Sequence, residues 1–430
     1  MNFKSSAIFS IFASFGLLIF NMLINVIESR VLGPKDIGRY QVFITSQTLF
    51  ATFCALGLGQ ACIYFINALK YNERTVLSTT INATLPLSFL AGILFFVSIL
   101  LFPNYFGIVS WCCIMIFCFG TTSILLSNIL TPVLLAKMEV VKHQIVKYSS
   151  SVLTLLLLSL ALILWRKFDI EYLLIVTGVA NILSLLLLYV FLCKRFSFYD
   201  GVDWSLLKKI VIWGLKLAGN NIATLILASI PIYFLSWFSS QSGFVNVGYY
   251  SRANSLLIVG TVICTSIGPL LYSRWSLINK DELKSHVRKL SIILTLINII
   301  IALGLIIGAP LIIRILYGEA FGDVVPILQI LAISLVPNSQ KEICYGILSS
   351  QGAPLLILKN LIIGILLSVL LNYFVIPLGG AQGAASVTVI VIYITTLLLK
   401  IDVSRYVNLK ISDFCYVPIL KDLHSILKNR

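Results

Sequence analysis

The chain has 430 residues and a net charge of +15; 59% of its residues are hydrophobic and only 11% are charged. Mean hydropathy is +1.02. A soluble domain runs at roughly 45–50% apolar and about 25% charged, so composition excludes one. Apolar runs recur from end to end, and each reaches the roughly 20 residues that a helix needs to cross a bilayer core. Backbone in lipid must satisfy its own hydrogen bonds, so such runs are helices. The alternating segments of about ten residues that build a membrane β-barrel are absent. In a soluble protein this excess of cations would suggest nucleic acid. Here the cations lie in short loops between apolar runs, which is the pattern that orients a membrane protein.

Twelve spans are expected, near residues 6–28, 40–69, 76–102, 106–132, 144–165, 170–193, 209–238, 246–274, 287–311, 323–350, 354–376 and 380–401. Lys4 followed by the run from Ala7 to Ile27 could open a signal peptide, but the run is too long and no A-x-A site follows it. It reads as the first span. The stretch from Glu28 to Phe50 comes next, with L-G-P at Leu32–Pro34 and a G-x-Y at Gly38 and Tyr40. A second G-x-Y stands at Gly248 and Tyr250, where the eighth span begins. Pro103-Asn104, Gly243 and Gly379-Gly380 carry turn chemistry.

The longest loop between spans, the basic segment from Lys194 to Lys209, separates six spans from six. The expected organisation is therefore an N-lobe over 1–200, a C-lobe over 201–402 and a tail over 403–430. The two G-x-Y motifs hold equivalent places in the two halves, as two parallel repeats would. In the tail, Ile419, Leu420, Leu423, Ile426 and Leu427 share one helical face after Pro418. This reads as a short helix lying on the membrane surface or as a frayed end. Of the 31 Lys and Arg residues, 22 lie in the terminal segments and the loops on their side, 6 lie in the opposite loops, and 3 lie inside spans. The bias places both termini in the cytoplasm.

Nine cysteines sit mostly in apolar runs without a C-x-x-C, and His143, His286 and His424 form no helical pair. Neither a disulfide framework nor a metal site is expected, and no cofactor is expected.

A charge at mid-bilayer costs on the order of 2.5–3.5 kcal/mol on insertion scales and usually faces a cavity. The candidate substrate-binding residues therefore start from the in-span cations Lys216, Arg252 and Lys341. Asn220 shares a helical face with Lys216, and Asn254 lies near Arg252. Lys216 and Arg252 could instead snorkel to an interface, and Lys341, beside Glu342, could mark the end of the tenth span. Glu28 and Arg30, at the end of the first span, could gate or anchor. Cations with amides suit a polyanionic head group: Arg grips phosphate in a bidentate way and Lys binds it as a point charge. Prolines at 86, 132, 231, 269, 310, 326 and 337 either bend spans or mark their ends.

Four stretches together resemble a known family. These are R-V-L-G-P-K-D-I-G-R-Y (Arg30–Tyr40), N-V-G-Y-Y-S-R-A-N (Asn246–Asn254), L-Y-G-E-A-F-G-D-V-V-P-I-L-Q-I-L (Leu316–Leu331) and N-Y-F-V-I-P-L-G-G-A-Q-G-A-A (Asn372–Ala385). They are similar to segments of polysaccharide transporters in the multidrug/oligosaccharidyl-lipid/polysaccharide exporter superfamily. Within it, O-antigen and capsule repeat-unit flippases match best. The resemblance covers about residues 10–400. It implies an all-α polytopic protein of the bacterial inner membrane, with two six-helix lobes around a central cavity. The implied substrate is an oligosaccharide on undecaprenyl pyrophosphate, moved from the cytoplasmic to the periplasmic leaflet. Membrane lipids, a polysaccharide polymerase and a chain-length regulator are the implied partners, and nucleic acid is not one. Lipid II flippases are similar but typically carry two extra spans.

Flipping makes and breaks no bond, so no catalytic residue is expected. The alternatives are a cation-coupled drug or metabolite antiporter and a membrane-embedded polysaccharide polymerase or acyltransferase. No acid lies centrally in an N-lobe span to couple a cation, Glu28 being the nearest, and the longest outer connection carries only Arg166, Lys167, Asp169 and Glu171.

Overall fold

The computed structural model describes residues 3–107, 109–136, 139–164, 169–193, 201–238, 243–275 and 280–407. The expected tail helix after Pro418 and the outer-loop residues Arg166 and Lys167 lie outside them. Fourteen α-helices run through the described residues: α1 (Phe3–Val31), α2 (Pro34–Ala55), α3 (Leu58–Asn67), α4 (Glu73–Leu101), α5 (Pro103–Phe106), α6 (Trp111–Ala136), α7 (Val140–Leu164), α8 (Ile170–Leu192), α9 (Trp204–Phe238), α10 (Gly243–Trp275), α11 (Lys280–Leu316), α12 (Val324–Ala332), α13 (Leu335–Ser350) and α14 (Pro354–Val407). No strand occurs among them. Eight helical segments are long and apolar enough to cross a membrane, including α2 with α3 as one segment. The rest of the expected spans fall on α1, α10, the α12–α13 pair and the second half of α14. The protein is an all-α polytopic membrane protein.

Local chemistry sets the helix ends. Gly33 precedes α2 and Pro34 takes its first position, where the missing N–H costs nothing. Asn72 caps α4 by accepting from the Arg74 N–H at 2.9 Å. Asp203 caps α9 in the same way, accepting from the N–H groups of Ser205 at 3.0 Å and Leu206 at 3.1 Å. The Leu206 hydrogen bond is the main reason that the Asp203 carboxyl titrates below its ordinary range. Prolines 86, 132, 231 and 310 lie inside α4, α6, α9 and α11 rather than at span ends. Each removes a ladder hydrogen bond there. The expected turn at Pro103-Asn104 is instead the start of the four-residue α5.

Two spans are interrupted, and two others are joined. The second breaks between α2 and α3, where Leu56 and Gly57 both adopt left-handed conformations, at φ 47° and φ 68°. The tenth breaks between α12 and α13. The eleventh and twelfth run on as α14 across a kink at Gly380, with φ 50° and ψ −132°. Only glycine reaches that conformation without strain.

The chain divides into two compact units: Met1–Ser251 with Leu316–Ala320, and Arg252–Ile315 with Phe321–Arg430. In the first unit α6 is central, packing against α2, α3, α4, α7 and α8. Leu77, Ile81, Leu125, Ile129, Leu188 and Ile210 belong to its core. In the second unit α12 and α13 pack on α14. Large apolar side chains also cover the outside, among them Ile163, Ile307 and Leu378. Helices that are apolar on both faces suit a surface bathed in lipid.

The two G-x-Y motifs meet within the first unit. A Cβ on Gly38 would fall on the Phe244 carbonyl oxygen, and a Cβ on Gly248 would fall on that of Pro34. The starts of α2 and α10 cross backbone to backbone, and only glycine permits this approach. Nearby, the Arg30 guanidinium donates Nε–H to the Leu316 carbonyl at 3.1 Å.

Candidate functional site

Four of the candidate residues stand in the first unit and three in the second. Glu28 is buried and Arg30 exposed near the end of α1. Lys216 and Asn220 lie on α9, the lysine exposed and the asparagine half-buried. Lys216 leans back one turn, and its Nζ stands 5.6 Å from the centre of the Trp213 ring. Trp213 also stacks on Tyr64 of α3, with ring centres 4.5 Å apart. In the second unit, Arg252 is only 4% exposed on α10, while Asn254, two residues on, is exposed. Residues two apart on a helix face different ways. Lys341 is half-buried on α13, with its Nζ 5.9 Å from the Tyr345 ring centre.

A cavity of about 460 Å³ opens at the break in the second span. Its wall comes from the last turn of α2, the first turn of α3, and the faces of α6 and α9. The polar side chains on it are Thr52, Gln60, Asn128, Asn221 and Thr224, with no charged group among its lining residues. Glycines bring these elements together. A Cβ on Gly214 of α9 would stand 2.6 Å from the Leu56 carbonyl oxygen. One on Gly59 would stand 2.8 Å from that of Asn128. The break can therefore sit against α6 and α9 with no side chain in between.

Asn128 and Pro132 also line a second cavity of about 310 Å³ between α6, α7 and α8. His143, Lys147, Ser150 and Asn181 face it. Ser150 donates to Asn181 Oδ1 at 2.6 Å. The two cavities thus share a wall, and polar groups continue across the first unit from His143 to Asn221.

The second unit holds a polar cluster that sequence reasoning missed. Asp402 Oδ2 stands 2.7 Å from Lys359 Nζ and accepts from Asn360 Nδ2 at 2.7 Å. Lys400 donates to Gln340 Oε1, and Gln340 Nε2 donates to Thr295 Oγ1 at 3.3 Å. Lys359, Lys400 and Asp402 lie near the two ends of α14, where in sequence they read as loop charges. Only the fold of α14 back on itself at Gly380 puts them side by side. Among the described residues, no three His, Cys, Asp or Glu residues are grouped to hold a metal ion.

A family model described as "Polysaccharide biosynthesis protein" matches residues 4–272. The chain belongs to this family. No curated protein matches it. Among solved structures, this chain is similar to the lipid II flippase MurJ in an inward closed conformation. That match has a TM-score of 0.78 at 16% identity, over 94% of this chain and 88% of that one. It is similar to an inward-facing multidrug resistance MATE family transporter of the MOP superfamily, with a TM-score of 0.73 at 14% identity over 93% and 98%. A MOP superfamily transporter from Pyrococcus furiosus, described as having a binding pocket of reverse polarity, matches with a TM-score of 0.65 at 16% identity over 96% and 97%. At these identities the likeness establishes the transporter fold.

Proposed function

We propose that the protein is a flippase for an undecaprenyl-pyrophosphate-linked oligosaccharide repeat unit of an O-antigen or capsule. It would work in the bacterial inner membrane, with both termini cytoplasmic, by alternating access between lobes 1–200 and 201–402. The observation that carries this reading is a polysaccharide-biosynthesis family match on a chain with the transporter fold and cations inside its spans, Arg252 being buried. Cation-coupled drug exchange is compatible with the fold, but the family match favours a glycan. Lys216, Arg252 and Lys341 hold the pyrophosphate or acidic sugars, with Asn220 beside Lys216 and Asn254 contributing from another face of α10, and Glu28 and Arg30 anchor the end of the first span. The lipid tail stays in the bilayer while the glycan crosses, and no bond is made or broken. A polymerase and a chain-length regulator would take up the product.

The test is complementation of a strain lacking the gene. Lys216→Ala and Arg252→Ala variants, inserted at the wild-type level, are expected to lose most surface polysaccharide. Full restoration by both variants would remove these residues from the site.

A further inference from the structure

The cavity at the break in the second span is neutral, unlike the cations assigned to the pyrophosphate. We infer that it is the subsite for the first sugars of the substrate, with Gln60, Asn128 and Asn221 reading their hydroxyls. The inference rests on the flippase reading above and adds the place and chemistry of glycan recognition.

The side-chain amides set this cavity apart. Several other amides in the spans donate into the packing. Gln47 donates to the Phe117 carbonyl at 3.0 Å, Asn298 to that of Leu294 at 3.0 Å, and Asn372 to that of Ser368 at 2.7 Å. Gln60, Asn128 and Asn221 face the cavity, and none of their amides is engaged by another described residue. Polar groups within apolar spans are costly in a membrane unless they meet water, protein or a ligand. Three such amides come from three different helices, α3, α6 and α9, and converge on one space.

An amide offers both a donor and an acceptor, and so does each sugar hydroxyl. A neutral wall of amides with Thr52 and Thr224 therefore matches a neutral sugar and offers no counter-charge to a phosphate. The first turn of α3 adds to the wall, and its leading N–H groups have no partner within the helix. A volume of about 460 Å³ lies within the range of roughly 300–1,000 Å³ found for small-molecule sites.

Position along α9 fits the order of the substrate. Lys216 Nζ is held at the level of Trp213, and Asn221 lies eight residues further on. At a rise of about 1.5 Å per residue the two levels are roughly 12 Å apart. A pyrophosphate followed by its first sugars spans that distance.

The test uses the full-length protein in nanodiscs and native mass spectrometry with three lipids. These are undecaprenol, undecaprenyl pyrophosphate, and undecaprenyl pyrophosphate bearing an N-acetylhexosamine. The wild type is expected to bind the sugar-bearing lipid at least about tenfold more tightly than the bare pyrophosphate, as a site built to pair hydroxyls does. Asn128→Leu with Asn221→Leu is expected to erase most of that advantage while leaving affinity for the bare pyrophosphate unchanged. Asn221→Leu alone, at an exposed wall position, serves if the double variant does not fold, and Asn221→Gln should retain part of the advantage. Equal binding of both pyrophosphate lipids by the wild type overturns the subsite, as does a sugar advantage that survives in the Leu variants. In either case the flippase reading stands. Binding of all three lipids alike by the wild type overturns the flippase reading itself, and the subsite with it.

Discussion

Replacing Lys359 by Met should destabilise the protein more than replacing Lys359 and Asp402 together by apolar residues. The Asp402 side chain is only 10% exposed, and its carboxylate is held by Lys359 and by the buried Asn360. Lys359→Met leaves that carboxylate buried with a single amide donor. Breaking a buried pair from one side costs roughly 3–5 kcal/mol. The low end applies here, because the Lys359 side chain is 49% exposed and water already screens its half of the pair. Asp402→Leu is milder. The ammonium can turn to water, and Asn360 keeps its bond to the Leu356 carbonyl at 2.9 Å, so the loss is about 1–2 kcal/mol. Replacing both with apolar residues of similar size should be close to neutral. The cycle therefore carries a coupling of about 4 kcal/mol. Thermal unfolding midpoints of the four purified proteins, taken at one scan rate in one detergent, measure the order. If the double variant melts at the sum of the two single losses, the carboxylate is not being held by this pair and the reasoning fails.

The crossing of α2 and α10 gives a second expectation. Gly248→Val should lower expression and cost about 1–3 kcal/mol as an overpacked contact, whereas Gly33→Ala, where a Cβ meets nothing within 4 Å, should be silent in the same fluorescence size-exclusion assay. Two equal profiles would mean that the starts of these helices do not touch. At the start of α9, Asp203→Ala should lower the melting midpoint at neutral pH by removing a cap. The folded-state pKa of Asp203 is depressed, so its stabilisation is present above the ordinary carboxyl range and is lost as pH falls through the folded value. The gap between wild type and variant should therefore close on acidification, and a gap constant with pH would contradict the cap.

The spans were legible because lipid leaves an apolar run no choice but helix, and turn chemistry marked Gly243 and Gly380 as boundaries. The break at Leu56 and Gly57 was not legible. Both residues lie inside an apolar run, and the glycine alone does not distinguish a close helix contact from an interruption. Arg252 is buried on α10. Asn254 faces another way, because proximity in sequence is not proximity on a helix. Gly38 and Gly248 were read as a matched pair by position, yet their reason is mutual contact, which no single span reveals. The Lys359–Asp402 pair was invisible for a related reason. It joins residues 43 apart through a kink whose direction the sequence does not state. The amides of the neutral cavity were passed over because charges drew the search for a site. Gln60, Asn128 and Asn221 belong to three helices, and only packing shows that they converge.

The central claim is that this chain moves a lipid-linked glycan across a bilayer. The direct measurement uses liposomes in which undecaprenyl pyrophosphate bearing an N-acetylhexosamine is distributed over both leaflets. A membrane-impermeant reagent that modifies the sugar then reads how much of the lipid reaches the outside. With protein present, modification is expected to run nearly to completion, and Lys216→Ala with Arg252→Ala should slow it. If modification stops at the outer-leaflet share, as in protein-free vesicles, while correctly inserted protein is present, the chain is not a flippase for this class of lipid.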